Sequence, residues 1–477
     1  MHGVRNCYPC GAILPRQVAR LLGCWARPSH PTTQLPNYPS VYDWRVRRLS
    51  LVLLAALVTT GRVYAQSPHA DVATMVRDLE PLYRDLHQHP ELGFQETRTS
   101  ALLAERLRGL GFEVTTGVGK TGIVALLKNG AGPTAMLRTE LDALPVAEKT
   151  GAPFASTATG RNASGQSVPV MHACGHDLHM TAWAGTAAWM ATHRDRWRGT
   201  LMLVGQPAEE GGGGATAMLR DGLFTRFPKP DVVIGLHDDD TLPSGTIGYH
   251  AGYFRAQSIS PTITLYGRGG HGAMPYNTVD PVVLAARTVL ALQTIVSREN
   301  NPMDPVVVTI GSIHGGTQGN IIPDEVKLEL SVRTFTDEVR ARVLRAIERI
   351  ATAEATAAGS PRKPVITMPS SSTNAVYNDP ALTTRLATAL KTAMGADRVV
   401  EMPAKMTSED FSEYGLAGVP AVLLHVGAVS PEKLNEAKRT GIPVPAPHSP
   451  EWLPDLQPTL TGAIEGEVAA LLNLLNR

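Results

Sequence analysis

The sequence predicts an α/β protein of two domains, in which a mostly parallel sheet with helices on both faces carries an inserted domain of ferredoxin-like order. Three observations predict it. Short apolar runs bounded by Gly and Pro alternate with helical segments over 66–256, and the same pattern returns over 369–477. Between them, 257–368 reads as a βαββαβ succession. The 412 residues left after a leader of 65 also exceed what one ordinary core spans.

Each element follows from its own pattern. Residues 70–87 place Val72, Met75, Val76, Leu79, Leu82, Tyr83 and Leu86 at helical spacing, and 97–110 forms a second helix stopped by Gly111. Apolar runs at 122–127, 134–138, 199–205 and 231–236 read as strands, with 179–193 a helix among them. In the inserted unit the expected order is strand 260–266, helix 279–298, strands 306–313 and 325–334, helix 337–358 and strand 364–368. A helix at 382–394 and a strand at 421–425 then complete the first domain from its second piece. Candidate ligands follow the strand ends, where open α/β sheets generally carry their sites.

Before residue 66 the chain reads as a leader. Arg45, Arg47 and Arg48 precede an apolar core over 49–58 and a small-residue cleavage site at Val63-Tyr64-Ala65, with the cut expected after Ala65. The apolar core is shorter than the roughly 20 residues of a spanning helix, so a signal peptide is expected rather than a membrane anchor. Export to a periplasm, or secretion, is the predicted localisation. Residues 1–44 are Pro-rich without helical or strand period, which places the expected true start near Val41 or Val46.

Cleavage removes Cys7, Cys10 and Cys24, leaving Cys174 without an intramolecular partner and excluding a disulfide framework. It also removes eight Arg and one Asp, so the remaining chain holds 36 basic and 42 acidic side chains, a net charge of −6. That balance argues against nucleic acid or an anionic membrane as a partner.

The chemistry concentrates in five clusters. Met171-His172-Ala173-Cys174-Gly175-His176-Asp177-Leu178-His179 packs three imidazoles, a thiol and a carboxylate into nine residues, a density of donors that suits a divalent metal. Glu140 and Asp142 stand at period two on the end of an apolar strand; alone they would read as a solvated strand terminus. Glu209 and Glu210 follow another strand and precede Gly211 to Gly214. Neighbours pointing in different directions let one bind metal while the other faces a water as general base; an exposed acidic loop is the plainer alternative. His237, placed at the end of the 231–236 strand, and His448, in Pro447-His448-Ser449-Pro450, would each pass as surface or core histidines in isolation. His271 lies in a glycine-rich bend of the inserted domain, where any catalytic role must come from domain closure or a second subunit.

With these clusters in hand the chain resembles the M20 metallopeptidase superfamily, in its amidohydrolase branch of hippurate hydrolases and auxin-conjugate hydrolases. The likeness runs from about Tyr83 to Trp452. It rests on ordered motifs: His87-Gln88-His89-Pro90-Glu91-Leu92-Gly93-Phe94, Asp142-Ala143-Leu144-Pro145, His172 to His179, Pro207 to Ala215, Gly269 to Pro275, Asn320 to Glu325, Val332 to Phe335 and Ser408-Glu409-Asp410-Phe411. The resemblance implies Cys174, His176, Glu210, His237 and His448 as ligands of two divalent metals per subunit, Zn, Mn, Co or Ni, with Glu209 as general base for a metal-activated water. It further implies His271 as an oxyanion-stabilising residue reaching a neighbouring subunit of a homodimer or higher homo-oligomer, Asn320 beside it, and Arg333 as a partner of the substrate carboxylate. Glu140, Asp142, His172, Asp177 and His179 are expected to support the ligands; for His87 and His89, helix-end packing is an equal alternative.

One departure stands out. The branch usually has Asp where this chain has Glu140, one methylene longer, so contacts near that position are expected to differ. The expected activity is hydrolysis of the amide of an N-acyl amino acid or similar small conjugate. A dipeptidase or carboxypeptidase of the same superfamily would need a site for a free substrate ammonium, and none is identifiable in the sequence. A non-catalytic periplasmic metal- or ligand-binding protein would have no use for Glu209 beside Glu210.

Overall fold

A computed structural model describes residues 69–211 and 213–475. The expected leader over 1–65 lies outside the described residues. The apolar runs assemble into one eight-stranded sheet: β1 (Glu113–Val118), β2 (Gly122–Asn129), β3 (Thr134–Glu140), β4 (Gly199–Gln206), β5 (Val232–Pro243), β6 (Ile247–Tyr249), β7 (Val399–Glu401) and β8 (Ala421–Val429). In space the order is β1-β2-β4-β3-β5-β8-β6-β7. The central strands β4, β3, β5 and β8 run parallel, whereas β1, β2 and β6 join antiparallel to their inner neighbours.

Alternation along each strand explains why both faces are covered. Ile123, Ala125, Leu127, Leu137, Leu201, Leu203, Ile234, Val422 and Leu424 face one core. That core is completed by helices α1 (His69–Gln88), α2 (Thr97–Gly109), α3 (His176–Thr192), α4 (Pro380–Met394) and α5 (Leu456–Leu475). Their neighbours Val124, Leu126, Met136, Met202, Val204, Val233 and Leu423 face a second core closed by Met218, Phe411 and Tyr414. Period-two side-chain direction is thus converted into a three-layer architecture.

Two of the boundaries that differ from expectation have local physical reasons. Helix α3 begins at His176, three residues early, because Gly175 takes a left-handed φ of 72° and turns the chain into the helix there. Strand β5 runs on to Pro243 instead of ending at Leu236, since it stays paired with β8 through His237↔His425 and Asp238↔Val426. The acids that interrupt the apolar run are accommodated because Asp238 and Asp239 find buried partners. His237 therefore stands within a strand, not at its end.

A second sheet is antiparallel throughout. Val365–Thr367, Thr262–Tyr266, Glu325–Thr334 and Val307–His314 lie in that order, which is the 4-1-3-2 arrangement of a ferredoxin-like unit; Gln257–Ile259, just before Thr262–Tyr266, pairs with the far end of Glu325–Thr334. Val326, Leu328, Leu330 and Val332 point to helices Pro281–Thr294 and Asp337–Ala357, while Arg333 and its alternates take the opposite face. Asp280 caps the first helix by accepting from the Val282 and Val283 amides, with Pro281 at its first position, which fixes the start two residues after the expected one. The Pro281–Glu299 stretch is apolar and long enough to cross a membrane, yet Leu284, Leu292 and Ile295 are packed into the core of this second sheet. The chain enters and leaves the second sheet through one ribbon, Gly252–Arg255 paired antiparallel with Val376–Asn378.

Candidate metal centre

Four segments of the large sheet's loop end converge on one point. Cys174 and His176 bracket Gly175 at the start of α3; an added Cβ at Gly175 would lie 2.2 Å from Asp238 Oδ2, so only glycine permits this approach. Glu209 and Glu210 come from the turn after β4. That turn is pinned by the Ala208 amide donating to Glu96 at 2.8 Å, the Glu210 amide to Asp142 Oδ2 at 2.9 Å and the Ala215 amide to Asp410 Oδ2 at 3.0 Å. At Gly214 a Cβ would sit 1.6 Å from the Pro207 carbonyl oxygen, so the turn closes only around a glycine. His448 holds a left-handed φ of 74°, and its amide donates to Ala173 O at 2.6 Å, drawing the last loop against the thiol.

The structure brings all five expected ligands together in overlapping triads whose donor atoms lie within 4.8 Å of one another: Cys174 with His176 and His237, Cys174 with Glu210 and His448, and His176 with Glu209 and Glu210. Two of the three imidazoles are oriented by their other nitrogen. His176 Nδ1 donates to Asp142 O at 2.8 Å and His237 Nδ1 to Asp238 O at 2.8 Å, which turns both Nε2 atoms toward the donor cluster. His237 Nε2 is 3.5 Å from Cys174 Sγ. Buried His176 Nε2 has no hydrogen-bond partner, the condition of a donor awaiting a cation.

Electrostatics support the same conclusion. Burial, then Glu210, Asp238 and Glu209, push the Cys174 thiol well up. Burial alone would lower His176, but its contact with Asp142 and the charges of Glu140, Asp142 and Glu210 hold it at about 10. Such crowding of protons and carboxylates is relieved when divalent cations replace the protons, so the residues present fit a metal centre of soft and borderline donors. Glu209 is raised by burial and then by Glu409 and Glu210. Among the described residues its carboxylate makes no side-chain hydrogen bond; His176 Nε2 lies 4.0 Å away. Glu209 and Glu210 converge on His176, where the sequence had them pointing in different directions, because the tight turn after Ala208 brings both carboxylates to one side.

The expected supporting residues divide. Glu140 accepts from Arg138 and from His179 Nδ1 at 3.1 Å, and His179 Nε2 accepts from the Asp238 amide at 2.8 Å, so both nitrogens of His179 are committed. Asp142 steadies His176 and Glu210 together. Asp177 turns away to His87 at 2.6 Å, and His87 also contacts Glu148 at 3.1 Å. His172 is buried with neither ring nitrogen hydrogen-bonded, and burial lowers it to about 4. His89 stays exposed and bonds the carbonyl of Asp85 at the end of α1.

Arg333 lines the same cleft, and its Nη1 donates to Met406 O at 3.0 Å and more weakly to Ser408 Oγ at 3.4 Å. His271 and Asn320 do not line it. They sit together on an exposed two-stranded bend, Gly270–His271 against Ile321–Ile322, with the Gly272 amide donating to Asn320 O at 2.8 Å.

Residues unassigned in the sequence form the floor. Buried Arg138 donates to Glu140, to Gln206 at 2.9 Å, to Glu409 at 2.7 Å and to Asp410 at 3.2 Å. His425, Asp239, Arg255 and Lys405 make a second array behind His237. The available signal was charge inside apolar strands, at Arg138 in β3 and at Asp238 and Asp239 in β5.

A mixed sheet presenting thiol, imidazole and carboxylate donors beside an uncommitted glutamate suits a metal-dependent hydrolase, and the family and its relatives make the bond an amide C–N bond. The chain belongs to peptidase family M20/M25/M40, whose description matches residues 136–438. It is 39% identical to an N-acetyl-L-cysteine deacetylase of Bacillus subtilis (strain 168) over 58% of this chain and 64% of that protein. It is 37% identical to an N-acetyldiaminopimelate deacetylase of Geobacillus sp. (strain WCH70) over 75% of this chain and 91% of that one. A Bacillus subtilis dinuclear metal-binding peptidase of the M20 family superposes with a TM-score of 0.67 at 28% identity, covering 84% of this chain and 99% of the other.

Proposed function

We propose that the protein is an amidohydrolase that cleaves the amide of N-acyl amino acids or similar small conjugates. The observation that carries this reading is Glu209: a carboxylate among the donor cluster that is neither hydrogen-bonded by a described side chain nor needed to complete the five-ligand set. Two divalent cations held by Cys174, His176, Glu210, His237 and His448 would supply Lewis acidity to the attacking water and to the substrate carbonyl. Glu209 takes the water's proton and passes it to the leaving amine. Arg333, on the cleft wall, pairs with the substrate carboxylate. The deacetylase relatives support an N-acyl substrate.

The reading extends to a second copy. His271 and Asn320 are exposed and outside the cleft lining, so their oxyanion role requires another subunit. Val282, Val283 and Leu290 are exposed on the neighbouring helix, and Val307–His314 is an edge strand, which together offer an apolar surface for such a homo-oligomer. Export after cleavage near Ala65 belongs to the same proposal.

The test is an activity screen of metal-reconstituted protein against N-acetyl, N-benzoyl and long-chain acyl amino acids alongside dipeptides. Cleavage of acylated substrates in preference to dipeptides is expected. Preference for dipeptides would move the protein to the peptidases of the family, and no turnover of either would leave a binding protein.

A further inference from the structure

Arg255 ends the ribbon that leads into the second sheet, and its side chain is only 6% exposed. Its Nε and Nη2 lie 3.3 and 3.1 Å from one atom, His425 Nε2. That imidazole must accept there, because its Nδ1 donates to Asp239 Oδ2 at 2.6 Å. Asp239 is further committed to Lys405 and to the Thr241 amide at 2.8 Å, while Lys405 also reaches Asp240 Oδ1 at 3.9 Å. These acids contact Lys405 and a neutral imidazole, and neither touches Arg255 directly. Arg255 makes no ion pair with any described carboxylate: a buried guanidinium whose only hydrogen-bond partner is a neutral ring. Burial and the Arg255 charge hold that ring neutral, lowering His425 to about 3.

A buried guanidinium that touches no carboxylate is stabilised by an anion brought into direct contact with it. Arg255 lines the cleft beside Cys174 and His237, and Arg333 is a separate cation of the same cleft. The cleft encloses about 1480 Å³, more than the 300–1,000 Å³ of a typical small-molecule pocket, which leaves space for a substrate with a second arm.

We propose that Arg255 is a second anion-binding residue of this cleft, and that the substrate carries a carboxylate beyond the one paired with Arg333. The guanidinium keeps Nη1 free for it, and a planar donor suits a carboxylate better than a lysine would. Two substrate forms meet the requirement: an N-acyl dicarboxylic amino acid, or an amide whose acyl arm ends in a carboxylate. This inference rests on the amidohydrolase reading.

The experiment measures kcat and KM of the metal-loaded full chain for N-acetyl-aspartate, N-acetyl-glutamate and N-succinyl-alanine against N-acetyl-alanine and N-acetyl-methionine. Wild-type protein is expected to prefer one dicarboxylate arm by about tenfold or more in kcat/KM, mainly through KM. The arm preferred identifies which end of the substrate Arg255 holds. Arg255→Met should abolish the preference and Arg255→Lys retain part of it, each protein serving as its own reference. Should Arg255→Met not fold, succinate should inhibit the wild type at least tenfold more strongly than butyrate. Equal use of both substrate classes, a preference that survives in Arg255→Met, or equal inhibition by the two acids overturns the proposal. Failure of the underlying reading looks different: no N-acyl amino acid is cleaved, while succinate still binds in an Arg255-dependent way.

Discussion

His176 and His237 are oriented by the same device: each donates its Nδ1 hydrogen to a main-chain carbonyl at 2.8 Å, Asp142 O and Asp238 O, and so each offers Nε2 to the donor cluster. The ring orientation is set by backbone that strand pairing and the α3 turn hold rigid, which preorganises the donors before any ion arrives.

Replacement of the base should separate binding from chemistry. Glu209→Gln is expected to keep its full metal content and lose about 10²–10⁴-fold in kcat. Metal analysis beside steady-state kinetics checks this, and near-wild-type turnover would remove Glu209 from the role.

His271→Ala should lower kcat by about 10²-fold without releasing metal. Mixed with Glu209→Gln, it should recover up to about a quarter of wild-type activity, because one site in each mixed dimer is then intact. Subunit exchange without recovery would place His271 in its own chain's site or in none.

Metal uptake should release protons. The metal-free chain holds His176 at about 10 and the Cys174 thiol well above its ordinary value, so both are protonated at neutral pH and must lose their protons to bind. Apparent affinity is therefore expected to rise as pH increases toward 10. Calorimetry in buffers of different ionisation enthalpy reads the proton count directly, and pH-independent binding would contradict the assignment of these two ligands.

His87 is predicted to stabilise the fold within a defined pH window. Burial opposes its charge, but Asp177 and Glu148 overcome this and raise it to about 10. Because the folded value lies above the unfolded one, the histidine's contribution is complete below about pH 6.5 and fades as pH rises through about 10. His87→Gln leaves two buried carboxylates short of a partner and should cost about 3–5 kcal/mol near pH 6. Denaturant unfolding at pH 6 and pH 9.5 should show the deficit shrinking at the higher pH; a constant deficit would point to packing alone.

Gly214→Ala tests the turn. A Cβ 1.6 Å from the Pro207 carbonyl oxygen forces the Glu209–Glu210 segment to move. The expected result is loss of both metal and turnover in a protein that still folds, read by metal content and circular dichroism.

Part of the donor cluster was legible in residue types that are dense and locally spaced, Cys174 and His176, Glu209 and Glu210, whereas the isolated His237 and His448 entered only through the family resemblance. The strand and helix periods likewise announced both sheets, with Glu325–Thr334 placed to the residue. Arg138 with Glu409 and Asp410 was not legible, since their contact spans some 270 positions and no local period encodes it. Arg255 is similar: its meaning depends on a histidine 170 residues away and on acids already spoken for. The extension of β5 was hidden by its own acids, which look like a strand terminus until their buried partners are known.

The Gly252–Arg255 and Val376–Asn378 ribbon carries both crossings between the two sheets, and Arg333 reaches across to Met406 and Ser408 near the Glu409–Asp410 floor. Arg255 therefore stands where the chain passes from one sheet to the other and Arg333 where the smaller sheet touches the floor of the larger, so a molecule that engaged both would bridge the two sheets at their seam.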